Sequence, residues 1–371
     1  MTPCYDWADL EPNPRGGLDM KALVYHGNRD LRLEAVPDPE PGPGEVRLRI
    51  DYCGICATDV EEYVYGPNHI YHDEPNPLTG RKTPIVVGHE TTGTVEQLGD
   101  GVSGLSIGDR AVIDGVLTCG NCWWCGHDRE YLCAQAAIVG FGLDGGLAEY
   151  MVWPASHVIR LPDNVSSEEA ALVEPASVAL HAVRRSRVET GENVAVLGVG
   201  TVGLLAMQAA KTRGARTIAV DTRQMSLDLA AELGADFTVN SASDDADQAL
   251  LDLTDGVGPD VVIDAAGTKD TPELTIKWVR RAGRAVLVAV YTTVPQFDFN
   301  NIVSREVEVV GVLAYERRDV EEIVGLISRG AVKTGPLISD TIRLDEVLSK
   351  GYDRMMAPTK DVFRILVSPS S

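Results

Sequence analysis

The sequence predicts an α/β chain of two domains, a mostly β domain first and a doubly wound parallel sheet second. Three observations carry this. Short β-type runs at residues 22–25, 31–36 and 45–52, separated by Asn-Arg-Asp and by the turn cluster at 37–44, open the patterned sequence. Past residue 190, apolar runs at 260–265, 284–290 and 307–313 alternate with helical stretches such as 226–233 and 272–281, the pattern of a parallel sheet flanked by helices. Between the halves, the apolar run 194–197 stops at a Gly-x-Gly-x-x-Gly turn, and an alanine-rich stretch, 204–212, follows.

The totals bound the class. The chain has 371 residues, enough for two cores, with 44% hydrophobic and 6% aromatic residues. No run of about 18 apolar residues appears, so no transmembrane helix is expected. The N-terminus lacks a basic-then-apolar leader, so a cytoplasmic protein is expected. A net charge of −22 argues against nucleic acid and against anionic membranes as partners. Of the 33 basic residues 25 are Arg, which fits a salt-rich cytoplasm or a codon bias equally well. Seven cysteines are present, and four crowd into residues 119–133, which in an unsecreted chain points to metal rather than disulfides.

In chain order, residues 1–19 read as a loose polar tail that includes Cys4. Cys53-Gly54-Ile55-Cys56-Ala57-Thr58-Asp59 follows the early strands, and Gly88-His89-Glu90 comes later. Cysteine, histidine and glutamate are all zinc ligands, although a single buried cysteine is more often a small hydrophobe. The strongest local signal is Cys119, Cys122, Cys125 and Cys133, spaced C-x2-C-x2-C-x7-C within a lobe at about 115–135. Four thiolates on one loop can close a tetrahedron around zinc, leaving no open position; an iron–sulfur cluster is the competing reading. Trp123 and Trp124 are expected to pack that loop. Ser166 or Ser167 can cap a helix beginning at Glu168-Glu169, and Glu174-Pro175 lies within it. His181 reads as packed rather than catalytic.

The glycine turn comprises Gly198, Val199, Gly200, Thr201, Val202 and Gly203. A dinucleotide needs a tight turn, backbone that can approach a pyrophosphate, and close helix–strand packing at this place, with open helix N–H groups for the phosphate oxygens. A second apolar run, 217–220, ends in Asp221, 18 residues after Gly203, where a carboxylate holds the ribose 2′-OH. Asp221 would repel a 2′-phosphate, which favours NAD; Arg223 leaves NADP open. Residues 266–267 and 288–291, beyond the carboxyl ends of later strands, should line the cofactor cleft. Helices at 320–328 and 344–355 and a strand at 363–367 complete the chain.

Taken together, Gly54-Ile55-Cys56-Ala57-Thr58-Asp59, Gly88-His89-Glu90, the four-cysteine lobe, Glu174-Pro175 and the glycine turn with Asp221 make the chain from Met20 onward resemble the zinc-dependent medium-chain dehydrogenase/reductases. The insert at 66–84 and Ala171-Leu172-Val173-Glu174-Pro175 are similar to its polyol and butanediol dehydrogenase branch.

The resemblance implies a GroES-like domain at 20–172, a Rossmann NAD-binding domain at 173–315, and a return to the first domain at 316–371, with the active site in the cleft between them. It implies that Cys56 and His89 ligate a catalytic zinc, and that Glu90 ligates it or stands just behind. Glu174, where other branches have a third cysteine, would bind it directly or through water, and Cys53 is not a ligand. Cys119, Cys122, Cys125 and Cys133 would hold a structural zinc. Thr58 would take the substrate's proton. The family often has a histidine at the place of Glu61, so Glu61, Glu62 or water would end the proton relay. The activity implied is hydride transfer between a vicinal diol or secondary alcohol and NAD. Polyol or sugar oxidation with NAD or NADP is the next reading, and a non-catalytic nucleotide-binding protein a remote one. Dimers or tetramers of one chain are the implied assembly.

Overall fold

Alternating outward and inward residues begin the described chain, and the computed structural model describes residues 19–291, 293–359 and 361–369. The tail expected at 1–19, with Cys4, lies outside them except for Asp19, which opens the first strand. The described residues up to Glu174, with those from Leu337 on, form one unit; Pro175–Pro336 form a second.

The first unit runs β1 (Asp19–Gly27), β2 (Asp30–Pro37), β3 (Glu45–Ile55), α1 (Ala57–Tyr65), β4 (Ile85–Val86), β5 (Glu90–Leu98), β6 (Arg110–Ile113), β7 (Val116–Leu117), β8 (Ala137–Ile138), β9 (Tyr150–Pro154), β10 (Val158–Arg160) and α2 (Ser167–Ala170). β3 is longer than the sequence pattern indicated, so Cys53 lies within the strand and Cys56 caps the helix after it. β3 pairs antiparallel with both β5 and β9. Its inward residues Leu48, Ile50 and Ile55 join Trp153 and Leu147 in a fully buried core. Ser166 caps α2 and shares a capping box with Glu169, as its spacing predicts. That helix ends at Ala170, however, so Glu174 belongs to the next one, α3 (Val173–Ser186).

The second unit continues with β11 (Asn193–Leu197), α4 (Thr201–Thr212), β12 (Arg216–Asp221), α5 (Gln224–Glu232), β13 (Phe237–Asn240), α6 (Ala246–Leu253), β14 (Val261–Asp264), α7 (Thr271–Trp278), β15 (Arg284–Leu287), α8 (Asn300–Val303), β16 (Glu308–Gly311) and α9 (Arg317–Ser328). Its strands are parallel in the order β13-β12-β11-β14-β15-β16. Near-continuous apolar runs such as Val261–Asp264 suit strands covered on both faces. The order reverses between β11 and β14, the switch point beyond which ligands bind in such sheets.

The chain returns to the first unit at Leu337, not at residue 316 as expected. The reason is α9. Its Asp319 is buried in the second unit, where His181 Nδ1 on α3 lies 2.8 Å from Asp319 Oδ2, and Arg184 binds the other oxygen. His181 is thus packed, as read. β17 (Ile338–Arg343) and β18 (Arg364–Ser368) then add to the β3 sheet, β18 pairing with β3 around Ile55. The helix expected at 344–355 is a 3₁₀ turn, a π turn and the short α10 (Asp353–Met356), with Gly351 pressed so closely on Ile55 that a Cβ would sit 2.4 Å from Ile55 Cδ1.

Candidate active site

Strand pairing assembles the first metal-binding group. β3 ends at Ile55, and Cys56 turns the chain into α1; its N–H donates to Asp59 Oδ2 at 2.8 Å. On the neighbouring strand Glu90 stands in register with Gly54, and His89 precedes it. Ligand atoms of Cys56, His89 and Glu90 therefore come within 4.8 Å of one another, with His89 and Glu90 buried. Gly54 makes the room: a Cβ there would lie 2.1 Å from Glu90 Oε2. Gly88, at φ +99, makes the turn that presents His89, and a Cβ on it would strike Cys53 Sγ. Cys53 itself is outside the group, 3.7 Å from Thr91 Oγ1, and burial pushes its thiol up to about 12. Thr58 Oγ1 is 3.7 Å from Cys56 Sγ.

Two residues without an assigned role in the sequence reading support this group. Asp59 Oδ1 lies 3.2 Å from His89 Nδ1, so its carboxylate faces one edge of the ring and leaves Nε2 as the metal donor. Arg364, from the distant β18, places Nη1 3.1 Å from Glu90 Oε1 and donates to Ile55 O at 2.6 Å. Burial works against a charged His89, but Asp59 and Cys56 outweigh it and hold the imidazole well above its ordinary value. Burial raises Glu90, and Arg364 opposes that. Glu174, partly buried, is pushed up to about 7 by burial, with Glu90 and Asp59 adding to the shift and His89 and Arg364 opposing it. It feels the group electrostatically but is not among the three whose ligand atoms converge.

One divalent metal ion fits this donor set. Both oxygens of Glu90 are buried without an aligned hydrogen bond, and two carboxylates, Glu90 and Glu174, and the Cys56 thiol act on a single guanidinium, that of Arg364. Of the carboxylates considered for the proton relay, Glu62 is committed elsewhere: it is buried and accepts the backbone N–H groups of Asn68 and His69.

In the lobe, Sγ atoms of Cys119, Cys122, Cys125 and Cys133 lie 3.5–3.9 Å apart along the pairs in contact. Zinc bonded to sulfur at about 2.3 Å sets tetrahedral S···S edges of roughly 3.8 Å. The spacing suits one ion and leaves no space for a multi-iron core. The six described cysteines are all unpaired. Trp124 meets Trp123 edge-on, but Trp123 is exposed and stacks on His127 instead of packing inside the loop.

The glycine turn divides three tasks among three glycines. Gly198 has φ +85, and a Cβ there would collide with Ala266. Gly203 packs α4 on the turn so closely that a Cβ would lie 2.0 Å from Gly198 O. Gly200 caps α4 and faces almost open space, the opening a pyrophosphate needs, with Thr201 and Val202 in the first helical turn. Asp221 ends β12 beside this turn, its Oδ2 accepting the Val199 N–H at 2.9 Å. Its Oδ1 accepts from Arg223 N at 2.9 Å and Nε at 3.3 Å. Arg223 is thereby drawn onto the acid.

Comparison with known proteins gives the family. Residues 42–163 match the alcohol dehydrogenase GroES-like domain and residues 201–329 the zinc-binding dehydrogenase family. The chain is 34% identical to the (R,R)-butanediol dehydrogenase of Bacillus subtilis (strain 168), covering 95% of this chain and 100% of that one. It is 30% identical to a sorbitol dehydrogenase of the same organism over 95% of this chain and 98% of the relative. The crystal structure of 2R,3R-butanediol dehydrogenase from Bacillus subtilis is similar with a TM-score of 0.87 at 32% identity, covering 94% of this chain and 99% of that one.

Proposed function

This chain belongs to the zinc-dependent medium-chain dehydrogenase/reductases, and from that premise we propose that it oxidises a vicinal diol of the 2,3-butanediol kind to its acyloin with NAD. The observation that carries the reading is the converging Cys56, His89 and Glu90 group, backed by the partly buried carboxyl of Glu174. One thiolate among carboxylates and an imidazole makes a hard, polar metal site, which suits substrates with more than one hydroxyl.

Cys56, His89 and Glu90 hold the zinc, and Glu174 closes the set directly or through a water. When bound, zinc supplies Lewis acidity toward a hydroxyl, and the nicotinamide supplies the hydride acceptor. Asp59 fixes the His89 ring and Arg364 steadies Glu90. Thr58 Oγ1 accepts the substrate's hydroxyl proton as its own hydroxyl proton passes on toward solvent. The glycine turn holds the pyrophosphate, and Asp221 the adenosine ribose. The four cysteines hold a second zinc that staples the lobe.

Polyol oxidation is the second reading, favoured by the similarity to sorbitol dehydrogenase. The test is NADH formation with 2,3-butanediol stereoisomers, sorbitol, glucose and simple secondary alcohols, with NAD⁺ and NADP⁺, before and after a zinc chelator. Chelator-sensitive, NAD-linked oxidation of a butanediol supports the proposal; sorbitol as the preferred substrate moves it to the second reading. Inertness toward the whole panel, with zinc bound, sinks both.

We further infer a homodimer or homotetramer. β16 is an edge strand, and Val309 on it, with Phe299, Val303 and Leu313 nearby, is exposed. We infer a cytoplasmic location, where the five cysteines assigned to metal stay reduced. Among the described residues no helix is long and apolar enough to cross a membrane.

A further inference from the structure

A buried carboxylate that belongs to neither metal group sits at the carboxyl end of the parallel sheet. Asp264, the last residue of β14, is fully enclosed. Its Oδ1 accepts the N–H groups of Ala266 at 2.9 Å and Gly267 at 3.2 Å. Its Oδ2 accepts the Tyr291 hydroxyl at 2.7 Å. Its carbonyl accepts the N–H groups of Val288 and Ala289. One residue thus ties the loop after β14 to the loop after β15. Gly267, at φ +65, lets the loops abut, for a Cβ there would lie 2.8 Å from Val290 O. Burial, then the hydrogen bond to Asp264 and its charge, raises Tyr291, so its phenol stays a donor.

The sheet order says what rests on these loops. Asp221 at the end of β12 takes the adenosine half of a dinucleotide, and the turn after β11 takes the pyrophosphate. Moving on in the same direction across the strand ends leads to β14 and then β15. Strands are about 4.8 Å apart, so the nicotinamide half spans these two ends. Ala266 touches the glycine turn directly, since a Cβ on Gly198 would meet Ala266 Cβ at 2.5 Å. Ala266 and Val290 are both exposed, so the joined loops present a face beyond the strand ends.

We propose that Asp264 and Tyr291 form a clasp that positions the nicotinamide half of the dinucleotide, by locking the loops after β14 and β15 into one platform. The inference rests on the dinucleotide reading of this unit. Tyr291 is a positioning residue: it acts through the backbone it holds. The pair lies well apart in sequence, and neither residue belongs to the glycine turn.

The test compares NADH with ADP-ribose, which has every part of the cofactor except nicotinamide. Dissociation constants are measured calorimetrically for the full-length zinc-loaded chain and for Tyr291→Phe, which keeps the ring and removes the hydroxyl. The clasp predicts that Tyr291→Phe weakens NADH roughly tenfold, in line with one lost hydrogen bond to a charged group, and leaves ADP-ribose unchanged. It also predicts a raised KM for NAD⁺ with a melting temperature lowered only by the few degrees that one lost hydrogen bond entails. Equal NADH affinity in the two proteins overturns the clasp and leaves the dinucleotide reading intact. Parallel loss of both ligands overturns it too, because that marks general loosening. Failure of the unmodified chain to bind either ligand overturns the dinucleotide reading itself.

Discussion

Arg364 and Glu90 form an ion pair, Nη1 to Oε1 at 3.1 Å, with 3% and 0% of their side chains exposed. The pair joins the last strand of the chain to the strand that carries the metal-binding group, and the same guanidinium donates to Ile55 O, one residue before Cys56. Removing one partner of a buried pair leaves an uncompensated charge. Arg364→Met is expected to lower the stability of the metal-free protein by about 3–5 kcal/mol in urea unfolding. Adding Glu90→Gln to that variant should restore part of the loss; a double variant no more stable than Arg364→Met would show that the charge on Glu90 is not the cause.

Gly54→Ala tests the room left for Glu90. The new methyl would fall 2.1 Å from Glu90 Oε2, so the carboxylate must leave the group. Zinc content should fall from two ions per chain toward one, the four-cysteine site keeping its own, and kcat/KM should drop at least roughly tenfold. Elemental analysis beside steady-state kinetics reads both; full zinc content with unchanged kinetics would count against the role given to Glu90.

On the proposed dinucleotide reading, Asp221 selects between NAD and NADP. Its carboxylate holds Arg223 to itself and would repel a 2′-phosphate. NAD⁺ should exceed NADP⁺ in kcat/KM by roughly tenfold or more, one ion-pair's worth of discrimination. Asp221→Ser frees Arg223 for the phosphate and should reverse the preference. A variant that still prefers NAD⁺ by the original ratio would move the discrimination elsewhere.

The pH dependence of the second unit has a local contribution from Asp236. Its Oδ2 accepts from Thr217 N, Thr217 Oγ1 and Lys211 Nζ at 2.8, 3.1 and 2.9 Å. Burial raises this carboxyl, but the Thr217 and Lys211 contacts outweigh it and hold it below its ordinary 3.8. A depressed folded value means that the stabilisation is complete above 3.8 and is lost as the pH falls through the folded value. Asp236→Asn should therefore be less stable than the parent by the same margin at about pH 7 and pH 5, with the gap closing toward about pH 3. Urea midpoints at these pH values check it; a gap that widens on acidification reverses the assignment.

What could be read from the sequence follows from how local each signal is. The glycine turn, the lobe and Cys56 with Thr58 are each written in one short stretch, and a strand–turn–helix or a four-thiolate loop follows from such a stretch alone. His89 and Glu90 had to be joined to Cys56 by resemblance, because the β3–β5 register that unites them is not written in either segment. Arg364 went unread for the same reason, being over 300 residues from Ile55, whose carbonyl it meets. The Asp264–Tyr291 contact crosses two parallel strands and leaves no mark at either position. The return at Leu337, rather than at 316, is not legible because the apolar stripe of α9 is the same whichever unit it packs on; the buried Asp319–His181 contact decides.

Zinc content and NAD-linked diol oxidation, measured together on the parent and on Cys56→Ser, test the central claim most directly. If Cys56, His89 and Glu90 hold the zinc that serves the reaction, Cys56→Ser loses one of two zinc ions and all measurable turnover, while it still binds NADH and keeps its fold. A Cys56→Ser protein that lacks one zinc and oxidises the diol at the parent's rate would contradict the account.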